Sequence, residues 1–337
     1  MKKITLLLLL SIFFSFSIYA QVLQSENFDG LTIGDVNADL TGATPGQGGW
    51  YTFNNSIPPL SSDFQIINEG GSQAQVLQIT GPANDSDVRA LWQNGLDTDW
   101  ATRTSGNDII EIEYDLFTGP STISLGESDV FLFNGNNDLI AGFSFNYNTK
   151  EIAGLARYDN AGNVGVFLFT LGTAPIILSP NTWHRVGFSF NKTTGVVIWK
   201  GPGFYGGITG AAAGTDPLEV DFVLYTSEGN TTSAVVKFDR FTTRATAIEN
   251  LLDTNVIQSR LANIKLYPNP AKDIVNIDTN LKIDDIAIFN QLGQTVMQVK
   301  GAQIFNNKVD ISGLSSGLYF MNIKAADKVQ SIKIIKE

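Results

Sequence analysis

The chain has 337 residues, 43% apolar and 16% charged, with no cysteine, one histidine and a formal net charge of −11. That apolar fraction supports real cores and excludes wholesale disorder, and the length suggests about two folded units. The missing cysteines exclude disulfide scaffolds, thiolate metal centres and cysteine nucleophiles, and the acidic balance argues against a nucleic-acid partner.

At the N-terminus, Met1-Lys2-Lys3 leads into the apolar run Ile4–Ile18, and Tyr19-Ala20 then meets Gln21. This pattern predicts a signal peptide over residues 1–20, cut between Ala20 and Gln21. The run is short for a bilayer span of about 20 residues and no comparable stretch follows it. The mature chain is therefore expected to carry no membrane span.

Residues 21–247 hold ten basic against twenty-four acidic side chains, a net −14. Their pattern is almost wholly β, with strand-like runs at Ile109–Phe117, Asp129–Asn134, Leu139–Asn146, Ile152–Tyr158, Val164–Leu171, Trp183–Asn191, Gly195–Lys200, Glu219–Thr226 and Ala234–Arg244. Turn-forming Asn, Asp and Gly residues link them. So many short antiparallel strands predict a two-sheet sandwich, and the absence of a fixed period argues against a propeller or solenoid. The unit opens with Glu26-Asn27-Phe28-Asp29-Gly30 and Gly48-Gly49-Trp50. It carries Thr182-Trp183-His184-Arg185-Val186 and Val196-Val197-Ile198-Trp199 in its middle, and closes on Val236-Lys237-Phe238-Asp239-Arg240-Phe241. On these residues it resembles concanavalin-like and laminin-G-like jelly rolls. The resemblance implies a last strand lying beside the first, and a fold that serves lectins, adhesion modules and glycosidases alike.

Four sets of candidate residues fall in this unit. Alternation puts Glu111, Glu113 and Asp115 on one strand face, opposite Ile110, Ile112, Tyr114 and Leu116. Jelly-roll glycosidases of the laminarinase type use such a carboxylate strand, but Asp115 stands where their acid glutamate belongs. The reading adopted is a solvated outer face over an ordinary core strand, with no catalytic residue assigned. His184 shares parity with Val186, Phe188 and Phe190 and reads as structural, and no Gly-x-Ser-x-Gly elbow is present. Trp92, Trp199 and Tyr205 are the candidate ligand-binding rings, since pyranose faces pack on aromatic ones. Trp199 leads into the aromatic, glycine-rich stretch 201–207, and Tyr205 is preferred to it as the binding-side residue. Asp85-Ser86-Asp87, Asp97-Thr98-Asp99 and the Asn134–Asp138 turn offer oxygen ligands of the kind calcium takes, with no ligand set singled out and no cofactor required.

Residues 248–262 read as a polar linker, and residues 263–337 as a small β domain with nine lysines against seven acids. Short segments at Asn263–Tyr267, Ile274–Asp278, Ile286–Asn290, Thr295–Val299, Lys308–Ile311, Gly317–Ala325 and Val329–Lys336 alternate and are parted by turn residues. Four blocks carry a resemblance here: Tyr267-Pro268-Asn269-Pro270, Asn290-Gln291-Leu292-Gly293, Leu314-Ser315-Ser316-Gly317-Leu318-Tyr319, and Lys333-Ile334-Ile335-Lys336. Together they resemble the type A sorting domain of the type IX secretion system. That resemblance implies an immunoglobulin-like sandwich, export across a Bacteroidetes-type outer membrane, and two partners, the secretion machinery and its C-terminal signal peptidase.

The whole reads as an all-β protein, a jelly-roll sandwich followed by a sorting domain, secreted or displayed at the cell surface. The expected role is binding of carbohydrate or another surface ligand. A jelly-roll glycoside hydrolase or polysaccharide lyase is the alternative, and an adhesion or matrix protein without a small ligand is the third.

Overall fold

The computed structural model describes residues 20–160, 163–252, 264–279, 282–290, 295–304, 307–325 and 328–337. The apolar run of the expected signal peptide, most of the expected linker, and Gly293 of the sorting motif lie outside the described residues. The described residues divide into two compact units, one running to Asn68 and from Gln75 to Leu251, the other comprising Glu69–Ala74 and the residues from Leu252 onward.

The first unit contains seventeen described strands: β1 (Gln21–Glu26), β2 (Gly34–Asp35), β3 (Trp50–Asn54), β4 (Phe64–Gly70), β5 (Ala74–Thr80), β6 (Arg89–Gln93), β7 (Ile109–Phe117), β8 (Gly126–Asn134), β9 (Leu139–Asn146), β10 (Glu151–Asn160), β11 (Asn163–Phe169), β12 (Ile176–Ile177), β13 (Trp183–Asn191), β14 (Val196–Gly201), β15 (Phe204–Ile208), β16 (Pro217–Thr226) and β17 (Val235–Thr246). They form a jelly-roll sandwich of two antiparallel sheets. One runs β15-β14-β13-β7-β17-β5-β4-β2, with β1 also paired to β17; the other runs β11-β10-β9-β8-β16-β6-β3, with β12 beside β10. The last strand of the unit thus lies against the first, Gln21 opposite Ala245, as the jelly-roll resemblance implies.

Period-two alternation explains the layers. Ile110, Ile112, Tyr114 and Leu116 of β7 turn inward, as do Val186, Phe188 and Phe190 of β13 and Val130 and Leu132 of β8. They meet Trp50, Phe143, Phe222 and Phe238 in one apolar core. One short helix, α1 (Leu96–Ala101), interrupts the strands, entered through Gly95 at φ +100. A left-handed entry of this kind suits glycine, which has no Cβ to clash. The helix carries Asp97-Thr98-Asp99, one of the stretches considered for calcium.

The described residues of the second unit form seven strands: β18 (Lys265–Tyr267), β19 (Ile274–Asp278), β20 (Ile283–Phe289), β21 (Thr295–Lys300), β22 (Lys308–Asp310), β23 (Gly317–Ala325) and β24 (Lys328–Lys336). They build a three-stranded sheet, β18-β19-β22, and a four-stranded one, β21-β20-β23-β24, around Val275, Ile277, Ile286, Ile288, Met321 and Ile334.

Candidate functional site

The carboxylate strand is the first candidate, and its expected solvation does not hold. Glu111, Glu113 and Asp115 do face away from the core, but their exposures are 0%, 2% and 1%. Flanking strands supply the cover. Register sets Arg185 of β13 against Asp115, and Arg244 of β17 against Glu111. Arg185 Nη2 lies 2.8 Å from Glu113, and Arg244 Nη2 lies 2.9 Å from Glu111 and also contacts Glu113. A bulge between Asp239 and Thr242 turns Arg240 to φ +47 and brings its guanidinium onto Asp115.

The segment expected to begin the linker closes the cluster. Asn250 N–H donates to Glu111, Lys200 Nζ donates to the Leu251 carbonyl at 2.7 Å, and Leu251 is fully buried. A Cβ at Gly187 would stand 2.8 Å from Leu251 and 2.9 Å from Glu113, so only glycine lets this cap seat. Burial pushes the Glu111 carboxyl up to about 7 despite the Arg244 charge and the Asn250 hydrogen bond. These carboxylates tie three strands together.

The candidate rings separate. Trp199 is a core ring, 1% exposed, donating from Nε1 to the Gly142 carbonyl at 2.7 Å and stacked 5.5 Å from Phe169. This overturns its reading as a binding platform: β14 turns Val197 and Trp199 inward and leaves Val196, Ile198 and Lys200 outward. Tyr205 is 62% exposed on edge strand β15 and lines an open trough of about 500 Å³ with Tyr158, Phe169 and Ile198. Trp92 is half-buried on β6 and lies flat on Tyr51, centroids 5.7 Å apart at 13°. His184 is buried, its Nε2 3.2 Å from the Ser179 carbonyl oxygen.

Two of the turns considered for calcium engage their oxygens with protein groups. Asn134 Oδ1 accepts from the N–H groups of Asn136 and Asp138, Asp138 pairs with Arg157, and Asp85 accepts from Gly229 N–H. Among the described residues, no group of three or more His, Asp or Glu side chains is placed to hold a metal ion.

A second acidic face, missed in the sequence, lies on the outward side of the other sheet. Cross-strand register aligns Tyr51, Trp92, Asp221 and Phe131 in one row across β3, β6, β16 and β8. The next row holds Val223, Asp129 and Ser144, and the one beyond holds Tyr225, Glu127 and Asn146. The Tyr225 phenol oxygen stands 2.9 Å from Asp129 Oδ2 and 3.0 Å from Glu127 Oε2. One phenol proton cannot serve two carboxylates, so a second proton stabilises the trio. Asp129 is suited to carry it: burial pushes its carboxyl up to about 7, with Glu127 adding to the rise and the Ser144 and Tyr225 hydroxyls opposing it. Burial, reinforced by Glu219, pushes Asp221 up to about 8. Neither Asp129 Oδ1 nor Asp221 Oδ1 has a hydrogen-bond partner.

This protonation has a measurable consequence. The folded state keeps a proton on Asp129 where an unfolded carboxyl near 3.8 has lost it, so stability present below about pH 4 is lost as pH rises through about 7. Asp129→Asn removes that proton linkage and keeps the shape. Its melting temperature should rise relative to wild type between about pH 4 and about pH 8. A constant offset across a fluorimetric pH series would contradict the assignment.

In the second unit the sorting motif closes the fold onto its final strand. Asn269 donates from Nδ2 to the Lys333 carbonyl at 2.8 Å and accepts from Ile335 N–H at 2.9 Å. Ala271 N–H donates to the Ile335 carbonyl, and Glu337 N–H to the Ala271 carbonyl. Tyr319 donates its hydroxyl to the Ser315 carbonyl beside Leu314, and Lys336 is largely buried. Residues 265–337 match the family described as a secretion system C-terminal sorting domain. The C-terminal unit is a type IX sorting domain. It directs the protein out of the cell, to the medium or the outer surface. No helix among the described residues is long and apolar enough to cross a membrane.

Among curated proteins, the chain is similar to Beta-agarase A of Zobellia galactanivorans, 38% identical over 72 residues. That stretch is 21% of this chain and 12% of the agarase, so the match spans a small part of the relative's length. Solved structures align loosely. The binding domain of botulinum neurotoxin DC in complex with rat synaptotagmin II gives a TM-score of 0.41 at 11% identity, over 91% of this chain and 74% of that one. The CBM2 module of the Lactobacillus casei BL23 phage J-1 evolved Dit gives 0.39 at 8%, over 68% and 97%. Alginate lyase A1-II′ gives 0.38 at 8%, over 55% and 83%.

Proposed function

We propose that this is an exported carbohydrate-binding protein that lays a glycan across the outward face of the β11-to-β3 sheet. The observation that carries the reading is the row Tyr51–Trp92–Asp221, a half-buried stacked ring pair beside a carboxyl group on the outward side of the sheet. Aromatic faces hold the apolar side of a pyranose, and neighbouring acceptors fix its hydroxyls. Trp92→Ala should abolish retardation of the protein in polysaccharide-containing native gels while the melting temperature stays close to wild type. If Tyr205→Ala abolishes it and Trp92→Ala does not, the glycan sits in the Tyr205 trough instead.

A second reading is polysaccharide cleavage, favoured by the Glu127–Tyr225–Asp129 trio, whose two carboxyls share one phenol. Both are tied to that phenol and Asp129 is 1% exposed, so neither is free to attack a bond, which favours binding over cleavage. Release of reducing ends from any common polysaccharide by the wild type, lost in Glu127→Gln, would move the function to catalysis.

Export in this reading includes removal of both ends, with a C-terminal signal peptidase and the secretion machinery as partners. Intact-mass analysis of medium and washed cells should find a chain that begins near Gln21 and ends before Ile264. Recovery of the full-length chain alone from both fractions would contradict that processing.

A further inference from the structure

The geometry points to a glycan without acidic groups, an uncharged hexose or pentose polymer, as the ligand of this sheet face; the inference rests on the binding reading above. Charge is segregated between the two sheets. Strands β3, β6, β16, β8 and β9 contain one basic residue, Arg89, which is buried and paired with Asp63 at 2.7 Å. From the outward side of the same five strands rise Glu127, Asp129, Glu219 and Asp221. Five of the unit's cations, Arg185, Lys200, Lys237, Arg240 and Arg244, sit on β13, β14 and β17 of the opposite sheet. Arg157 on β10 is engaged by Asp138, and Lys150 donates to the Thr118 and Pro120 carbonyls.

Hydrogen-bonding capacity points the same way. Asp129 is 1% exposed and Asp221 Oδ1 is buried, so the outward charge of the face falls on the partly exposed Glu127 and Glu219. With no unpaired lysine or arginine on the five strands, the face has no cationic donor to offer an acidic sugar. Sugar hydroxyls donate, whereas uronate carboxylates and sulfate esters bring only further acceptors and negative charge. A polyanion approaching these strands meets like charge from the face and from the unit's net −14, and no guanidinium or ammonium on the five strands offsets it.

The test uses the full exported protein in native gels cast with neutral polymers (agarose, laminarin, xylan) or polyanionic ones (alginate, κ-carrageenan), each at low and at tenfold higher salt. Retardation is expected with at least one neutral polymer, insensitive to salt and lost in Trp92→Ala, and none with the polyanions at low salt. Glu219→Lys should gain measurable, salt-sensitive retardation by alginate, where the wild type shows none, while keeping the neutral interaction. Glu219→Gln, which keeps the shape, should move the same way by a smaller amount. Salt-sensitive retardation of the wild type by alginate or carrageenan, dependent on Trp92, would overturn the charge inference and leave the binding face standing. Absence of retardation by every polymer would overturn both. Unchanged exclusion of alginate by folded Glu219→Lys would overturn the charge inference alone.

Discussion

Replacing Arg244 with methionine is expected to destabilise the first unit by about 3–5 kcal/mol, the cost of leaving buried carboxylates without their partner. Arg244 is 2% exposed and reaches both Glu111 and Glu113, themselves nearly inaccessible, so no solvent can replace it without opening the Leu251 cap. The defect should grow as pH rises through about 7, where the Glu111 carboxyl ionises in the wild type. Glu111→Gln added to Arg244→Met should recover part of the loss, since it removes one uncompensated charge. Chemical denaturation of the three variants at two pH values measures all of this. A surface-like penalty below about 0.5 kcal/mol would mean that the cluster is hydrated and structurally idle.

Trp199→Ala is expected to cost a similar amount, about 3–5 kcal/mol, and to lower the melting temperature by roughly 10 °C or more. The ring fills the space left by Gly154, where a Cβ would stand 2.5 Å from the indole, and its Nε1–H is held by the Gly142 carbonyl. Truncation empties that space and strands the carbonyl. Glycan retention should fall only in proportion to unfolding, so at temperatures where the variant is folded it binds as wild type does. Tyr205→Ala, on an exposed edge ring, should change stability by no more than about 0.5 kcal/mol.

Alternation made much of the fold legible. The expected bounds of β7, β9 and β13 coincide with the observed ones, because each alternates against a continuous inward face and ends in turn residues. Trp199 was misread because Val196-Val197-Ile198-Trp199 is apolar on both parities, so no pattern in the strand says which side is inside. Parity also placed Glu111, Glu113 and Asp115 on the correct face without revealing their burial. Their cover comes from arginines on two other strands and from a segment that the sequence presents as linker. The Glu127–Tyr225–Asp129 trio was invisible for a related reason. Tyr225 is 96 positions from Asp129, and only the β8–β16 register brings the phenol to the carboxyls. The alternating Glu127-x-Asp129 and Glu219-x-Asp221-x-Val223-x-Tyr225 were available as separate signals, and strand pairing was the missing link.

The Asn269 clasp on Lys333 and Ile335 bears on which polypeptides leave the cell. A chain cut short of β24 leaves the Asn269 side chain without both backbone partners, so the opening turn of the unit loses its anchor. Export that reads the closed unit would then fail alike for Asn269→Ala and for a chain truncated before Lys328.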